Sequence, residues 1–195
     1  MERKIRFGIL GYARIARLSV IPALLQARNA EPYALASRKE QGRTEAKEKF
    51  GFAKVYEEYD ELLADPDVDA VYIPLPNHLH REWTVRAARA GKHVLCEKPM
   101  GLSRAECEEM ARACEENGVL LMEAFMYRFT TRTRKVRELL DAGAVGEVRR
   151  VSSSFRFVLD RPGDVRLNPE MGGGSLWDVG CYPVNFAGMV MGEEP

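Results

Sequence analysis

Three side chains of the sequence could bind a polar ligand and exchange protons with it: Lys98, Asp178 and Tyr182. Lys98 follows the apolar run 94–96, typical of a buried strand, and Pro99 restricts it to extended geometry and admits a cis peptide bond. Ligands of open α/β sheets bind at the carboxyl ends of the strands, so Lys98 is predicted to lie in a cleft. Asp178 and Tyr182 are four residues apart and share one helical face, which indicates a polar pocket. Taken singly, Lys98 also fits a solvated strand end, and Tyr182 a hydrogen-bonded core position.

Alternating strands and helices along residues 1–123 must position Lys98. The predicted strands span 5–10, 31–37, 55–56, 69–74, 94–96 and 119–123. The predicted helices span 14–27, 40–50, 59–64, 77–90 with Asn77 as N-cap, and 103–118 with a capping box that begins at Ser103. Strands joined in this way by helices form right-handed βαβ units. We therefore expect a doubly wound α/β domain over residues 1–123.

Residues 124–195 follow a different pattern. A helix is predicted at 131–142, one long alternating strand within 146–159, a loop at 160–174, and a helix at 174–191. One amphipathic strand cannot bury its face alone, so this region is predicted to be an incomplete α+β second domain. The open edges of such a strand are compatible with a homo-oligomer through the second-domain sheet, with aggregation as the alternative.

A nucleotide site is predicted where the first strand turns into the first helix. Gly11, Ala13 and Ala16 occupy the positions of a G-x-G-x-x-G motif, with alanine at two of the three. A helix N-terminus at this point offers backbone N–H groups to a phosphate. Alone, the motif fits an ordinary turn equally well, but its place at the first turn of a six-strand pattern favours a dinucleotide. We assign cofactor binding here to Gly11, Ala13, Arg14 and Ile15.

Residues after the second and fourth strands extend this site. Ser37 and Arg38 lie where an NAD site usually carries Asp or Glu, and a hydroxyl followed by a guanidinium suits the 2′-phosphate of NADP. NADP is therefore predicted in preference to NAD, with a solvated basic turn as the alternative. Pro76, Asn77 and His80 are predicted to contact cofactor or substrate, with capping and surface roles as the alternative.

Composition excludes several classes of partner. Lys plus Arg equal Asp plus Glu at 29 each, so no net field attracts nucleic acid or an acidic membrane. The four cysteines lack CxxC spacing and the two histidines at 78 and 80 lack a third ligand, so no metal site is predicted. Cys107 and Cys114 fit small buried residues in a reducing compartment. Because the sequence shows no signal peptide and no apolar run of bilayer length, we expect a soluble cytoplasmic protein.

Five motifs together resemble those of the Gfo/Idh/MocA oxidoreductases, in the branch that acts on sugars and cyclic diols. They are Gly11-x-Ala-x-x-Ala, PNHLH at 76–80, EKP at 97–99, MEAFMYR at 122–128 and GGGSLWDVGCY at 172–182. Their order matches that of the family over essentially the whole chain. The resemblance implies a Rossmann domain followed by a domain built on a large, mostly antiparallel sheet. Family members run well past three hundred residues, so the chain is expected to be a fragment or to have a reduced second domain.

The resemblance also implies roles for individual residues. Lys98 matches the catalytic lysine of the family, Tyr182 lies where many members carry histidine, and Asp178 would hold a substrate hydroxyl. Further candidates are Glu97 for the cofactor, and Arg156, Arg166 and Trp177 for the substrate.

These residues predict an NADP-dependent dehydrogenase that transfers a hydride between NADP and a secondary alcohol or hemiacetal carbon of a sugar or cyclic diol. Tyr182 would exchange the hydroxyl proton, because a nearby cation favours the phenolate and lowers a pKa that is ordinarily about 10. Lys98 would stabilise the developing oxyanion while Asp178 orients a neighbouring hydroxyl. Lys98 as the proton carrier is the close alternative. A second class also stays open, a non-catalytic dinucleotide-binding protein with a degenerate substrate domain.

Overall fold

A computed structural model of the chain describes residues 3–192. The chain divides into two compact units, Met1–Glu123 and Ala124–Pro195. Each unit is described separately below.

The first unit contains one parallel sheet of six strands. The strands are β1 (Ile5–Leu10), β2 (Ala30–Ala36), β3 (Lys54–Tyr56), β4 (Ala70–Ile73), β5 (His93–Cys96) and β6 (Leu121–Glu123). Their spatial order is β3-β2-β1-β4-β5-β6, and every neighbouring pair is parallel. This is the strand order of the doubly wound Rossmann fold. The prediction of the fold class is therefore confirmed.

Helices connect these strands. They are α1 (Ile21–Gln26), which continues a π-helical turn at Ala16–Val20, then α2 (Glu40–Phe50), α3 (Tyr59–Leu63), α4 (His80–Arg89) and α5 (Arg104–Glu116). The prediction of a cap at Ser103 is confirmed, since its side chain accepts a hydrogen bond from the Glu106 N–H at 3.2 Å. The prediction that Asn77 is the N-cap of the fourth helix is wrong. Pro76 initiates a 3₁₀ turn, Asn77–Leu79, whose last N–H donates to the Pro76 carbonyl, and α4 begins only at His80.

The sheet is buried on both faces because consecutive side chains of a strand point to opposite sides. On β1, Ile9 and Leu10 are fully buried and belong to separate apolar clusters, one on each face. On β4, Tyr72 and Ile73 divide between the same two clusters. Burying one such aliphatic side chain contributes about 1.5–3 kcal/mol. The strand ends that carry the candidate site residues are therefore anchored in a dry, packed layer.

The second unit is helical in its regular parts. It contains α6 (Thr131–Asp141) and α7 (Cys181–Met191), the latter continuing a π-helical turn at Leu176–Gly180. The predicted strand within 146–159 is wrong, because the described part of this unit, residues 124–192, contains no strand. A strand needs a hydrogen-bonded neighbour, and none is present there for this alternating sequence to pair with. Its apolar side chains Phe155, Phe157 and Val158 are instead exposed.

No helix within residues 3–192 is long and apolar enough to cross a membrane. None of the four cysteines forms a disulfide, and Cys96 and Cys114 are buried while Cys107 and Cys181 are partly exposed.

Candidate active site

The turn after β1 requires a glycine at position 11. Gly11 has a φ of +94°, in the left-handed region that side chains rarely adopt, and a Cβ there would meet Leu75 Cδ2 at 3.0 Å. Its N–H donates to the carbonyl of Ala36 on the neighbouring strand, at 2.8 Å. The backbone of the turn is thus held close to the sheet.

Helical structure after this turn begins several residues before α1. The N–H of Arg17 donates to the carbonyl of Ala13 at 3.1 Å, and Ile15 already has helical backbone angles. Arg14 and Ile15 are exposed, and Ala13 is half-buried. That these positions bind a pyrophosphate through helix N–H groups stays a prediction.

The end of β2 is built from Ser37, Arg38 and a residue that sequence reasoning missed, Arg43. Ser37 is buried and its Oγ accepts from the N–H of Lys39 at 3.3 Å. Arg43, on the first turns of α2, donates from Nη1 to the carbonyl of Ser37 at 2.6 Å. Arg38 is exposed, with its guanidinium 5.8 Å from the centre of the Tyr59 ring. The Ser37 hydroxyl is therefore followed in the chain by an exposed guanidinium, Arg38, and the Ser37 carbonyl is bound by a second one, Arg43. A hydroxyl and guanidinium groups in one turn suit a phosphate monoester.

In the loop after β5, the residues on both sides of Lys98 are held by hydrogen bonds. The N–H of Glu97 donates to the carbonyl of Ile73 at 3.1 Å, and the Glu97 carboxylate accepts from the Tyr72 hydroxyl at 2.6 Å. The Lys98–Pro99 peptide bond is cis. The next residue, Met100, donates its N–H to the Glu123 carboxylate at 2.8 Å. Lys98 itself is half-buried, at the carboxyl edge where the sequence places it.

Sequence reasoning missed both Tyr72 and Glu123. A tyrosine within the aliphatic strand β4 is a usable signal, because a buried phenol needs a hydrogen-bond partner. Glu123 is the last residue of the edge strand β6, and only the parallel register that pairs it with Cys96 brings it near the loop.

His80 is fully buried and lies between the loops that follow β4 and β5. Its Nδ1 is 2.8 Å from the carbonyl oxygen of Pro99, and its Nε2 is 2.8 Å from that of Leu75. Burial lowers the pKa of this histidine, although both carbonyls oppose the shift. With both ring nitrogens facing backbone oxygens, the ring is placed to join the two loops. Pro76 and Asn77, on the first of these loops, are half-buried.

In the second unit, α7 and the turn before it carry Asp178, Tyr182 and Asn185. The Tyr182 ring lies among three other rings, with centroids 5.3 Å away for Phe125, 6.0 Å for Tyr127 and 5.2 Å for Phe155. The Tyr127 hydroxyl donates to Asn185 Oδ1 at 2.6 Å. An aromatic surround of this kind restricts the tilt of the phenol ring.

Asp178 forms an ion pair with Arg166, with Oδ2 and Nε 2.9 Å apart. Of the other candidate substrate contacts, Arg156 is exposed and Trp177 is half-buried. Within residues 3–192, no group of three or more His, Cys, Asp or Glu side chains is placed to hold a metal ion.

The first unit fits a dinucleotide on two structural grounds. Gly11 has the positive φ that the tight turn after β1 requires, and at the end of β2 Arg43 contacts Ser37 while Arg38 follows it in the chain. The family comparison decides the matter. Residues 5–125 match the model described as "Oxidoreductase family, NAD-binding Rossmann fold", and residues 133–195 match "GFO/IDH/MocA C-terminal domain". The chain belongs to the Gfo/Idh/MocA oxidoreductase family.

Similar proteins of this Gfo/Idh/MocA family act on sugars and diols. A D-xylose 1-dehydrogenase (NADP⁺) of Haloferax volcanii is 48% identical over 95% of this chain, and a trans-1,2-dihydrobenzene-1,2-diol dehydrogenase of Xenopus laevis is 33% identical over 97%. The matches cover 57% and 58% of those enzymes, so the chain spans less than two thirds of their length.

A solved 3-ketoreductase from Actinomadura kijaniata, in complex with NADP and TDP-benzene, is 42% identical with a TM-score of 0.91. The match covers 97% of this chain and 58% of that one. Solved structures of the same reductase include a variant with tyrosine replaced by phenylalanine and two variants with a lysine replaced.

Proposed function

We propose that the protein is an NADP-dependent dehydrogenase that acts on a CH–OH group of a sugar or cyclic diol. The observation that carries the proposal is the Lys98 loop, because contacts of Tyr72, His80 and Glu123 with the residues around Lys98 hold this loop at the ligand-binding edge of the sheet. The names of similar proteins support the proposal, because they include NADP as cofactor and a sugar or a cyclic diol as substrate.

NADP, when bound, supplies the nicotinamide carbon that accepts or returns the hydride. Gly11, Ala13, Arg14 and Ile15 would hold its pyrophosphate, while Ser37 and Arg38 would hold the 2′-phosphate. Pro76, Asn77 and Glu97 would border the cofactor on the next two strands. His80 would act through the loops that it joins, because its ring is fully buried.

The chain's own residues would manage the proton and the charge. As the substrate hydroxyl is oxidised, its proton passes to the Tyr182 oxygen, and the ammonium of Lys98 stabilises the negative charge that develops on the substrate oxygen. Asp178 accepts a hydrogen bond from a neighbouring hydroxyl and so orients the ring. Lys98 as the proton carrier remains the alternative for the first of these steps.

We further propose that the protein works in the cytoplasm and as a homo-oligomer. Four cysteines that form no disulfide are typical of a reducing compartment. The exposed apolar side chains of Phe155, Phe157 and Val158 support a contact with a second copy.

The experiment has two stages. NADP⁺ and NAD⁺ are titrated separately while thermal stability is followed, since a ligand that binds only the folded state raises it. Turnover is then measured with D-xylose and with a cyclic trans-diol for the unchanged protein, for Lys98→Met, and for Lys47→Met as an exposed control. The proposal expects stabilisation by NADP⁺ and turnover that Lys98→Met abolishes and Lys47→Met retains. NADP⁺ binding without turnover of either substrate would favour the non-catalytic alternative.

A further inference from the structure

Arg166 lies between two carboxylates that are both largely shielded from solvent. Its Nε is 2.9 Å from Asp178 Oδ2, and its Nη1 donates to Asp164 Oδ1 at 3.2 Å. Only 14% of the Asp178 side chain and 10% of the Asp164 side chain are exposed. The Nε–H is not aligned with Asp178 Oδ2, so that contact is an ion pair without a linear hydrogen bond.

The backbone of Arg166, like its side chain, contacts the turn that carries Asp178. Its carbonyl accepts from the N–H of Gly174 at 2.8 Å, and the carbonyl of Gly174 accepts from the N–H of Asp178 at 3.0 Å. The chain can return this closely only with a glycine at 173, where a Cβ would lie 2.6–2.8 Å from three backbone carbonyl oxygens. Arg166 is therefore attached to the Asp178 turn at both ends.

Asp164 determines where the guanidinium of Arg166 lies. It accepts from the backbone N–H of Arg166 at 3.1 Å as well as from Nη1. The backbone hydrogen bond is the main cause that lowers the pKa of Asp164, and the guanidinium adds to it. Asp164 is therefore ionised at neutral pH and holds one end of Arg166 while the other end faces Asp178.

We propose that Arg166 is a positioning residue that orients the Asp178 carboxylate toward a substrate hydroxyl. A carboxylate has about four acceptor positions, so the contact of Arg166 with Oδ2 restricts the plane of the carboxylate without occupying all of these positions. The guanidinium of Arg166 is already paired with two carboxylates, Asp164 and Asp178. This arrangement fits a positioning role better than the direct contact with substrate that the sequence predicts for Arg166. This inference rests on the proposed function, specifically on the role given there to Asp178.

The test compares sugar binding in matched variants of the protein. Arg166→Met removes the ion pair with Asp178. Arg161→Met is the control, because Arg161 lies in the same loop, pairs with Asp164 at 3.5 Å and is 53% exposed. KM and kcat are measured for D-xylose and for analogues that each lack one hydroxyl, together with the Kd for NADP⁺ and the melting temperature.

The inference expects Arg166→Met to raise the KM for D-xylose about 10-fold, with the Kd for NADP⁺ unchanged. Asp178→Asn should lose the preference for D-xylose over one deoxy analogue, the one that lacks the hydroxyl bound by Asp178. Arg166→Met should lose the preference over that same analogue. The double variant should be no worse than Asp178→Asn alone, because both changes remove one interaction. Arg166→Lys should recover part of the preference, and Arg161→Met should keep all of it.

Three kinds of result overturn the assignment, and they can be told apart. If Asp178→Asn raises KM while Arg166→Met behaves like Arg161→Met, Arg166 does not position Asp178. If the unchanged protein turns over no substrate, or Asp178→Asn leaves KM and analogue preference unchanged, the role proposed for Asp178 fails and this inference fails with it. A fall in melting temperature without a change in analogue preference would show that Arg166 is purely structural.

Discussion

The hydroxyl of Tyr127 donates a hydrogen bond to Oδ1 of Asn185, three residues along the helix from Tyr182. Residues three apart on a helix share a face, so this bond and the ring contact between Tyr127 and Tyr182 brace the same stripe of α7. The candidate proton-exchanging residue is thus supported through a neighbour on its own helix.

Replacing Tyr127 with phenylalanine keeps the ring and removes the donor. We expect a loss of about 0.5–1.5 kcal/mol in the free energy of unfolding, the usual net contribution of one hydrogen bond. Urea unfolding of Tyr127→Phe, Asn185→Leu and the double variant measures this as a coupling energy. Strict additivity of the two single changes would show that the pair contributes nothing to stability.

Because His80 is buried, we expect the free energy of unfolding to depend on pH with a definite sign. Because burial lowers its folded-state pKa, the unfolded chain binds the proton more readily, starting near the ordinary value of about 6.5. The contribution of His80 to stability is therefore complete above that pH and is lost as the pH falls toward the folded-state pKa. Unfolding free energies measured between pH 7 and pH 5 should fall less steeply in His80→Gln than in the unchanged protein.

The control for this experiment is His78→Gln, since His78 is exposed and lies two residues away. It should keep the slope of the unchanged protein. At pH 7, His80→Gln should also lower the free energy of unfolding by about 1–3 kcal/mol, because it disturbs the contacts of a buried ring with two carbonyls. Equal slopes in all three proteins would contradict the assignment.

Arg38 predicts selectivity between the two dinucleotides. Arg38→Ala should weaken NADP⁺ binding about 10- to 100-fold, since a hydrogen bond to a charged group contributes about 1.5–3 kcal/mol. NAD⁺ lacks the 2′-phosphate, so its affinity should stay within about 2-fold. Lys39→Ala, a change at the adjacent exposed position, provides the comparison. An equal loss for both cofactors would mean that Arg38 does not bind the 2′-phosphate.

Gly173 predicts a large local effect from one added methyl group. A Cβ at this position would lie 2.6 Å from the carbonyl oxygen of Asn168, so Gly173→Ala must displace backbone and should cost at least about 1–3 kcal/mol of stability. At Gly180 the nearest atom is the end of the Leu176 side chain, which can move. Gly180→Ala should therefore change the unfolding free energy by less than about 1 kcal/mol. Similar unfolding midpoints for the two variants would contradict this account.

The sequence predicts the parallel sheet because its signals are local. Apolar runs such as 5–10 and 94–96 alternate with amphipathic helices, and the first βα turn carries Gly11. Chain order then restricts the topology, since crossovers between parallel strands are right-handed.

The errors occur where local sequence does not decide the outcome. The alternating stretch 146–159 has the period of a strand, yet a strand forms only when another strand pairs with it, and none lies within residues 124–192. Likewise Asn77 has a good capping side chain, but Pro76 before it starts a 3₁₀ turn instead.

The contacts that support the candidate site are also nonlocal. Tyr72 and Glu97 are 25 residues apart, and Met100 and Glu123 are 23 apart. Motif matching finds Lys98 together with Glu97 and His80, whereas the contacts that Tyr72 and Glu123 make with this loop become visible only once the strand register is known.

The strand order also has a consequence for how the first unit forms during synthesis. Within the sheet β1 is made first and lies at the centre, but its partner β4 is far along the chain, as the sequence separation of 63 between the bonded pair Arg6 and Asp69 shows. Contacts this distant in sequence slow folding, because the intervening chain must be ordered before they form. On the ribosome, β1 therefore completes its pairing only after β4 has emerged. Until then one backbone edge of β1 lacks its partner strand and is exposed to other chains.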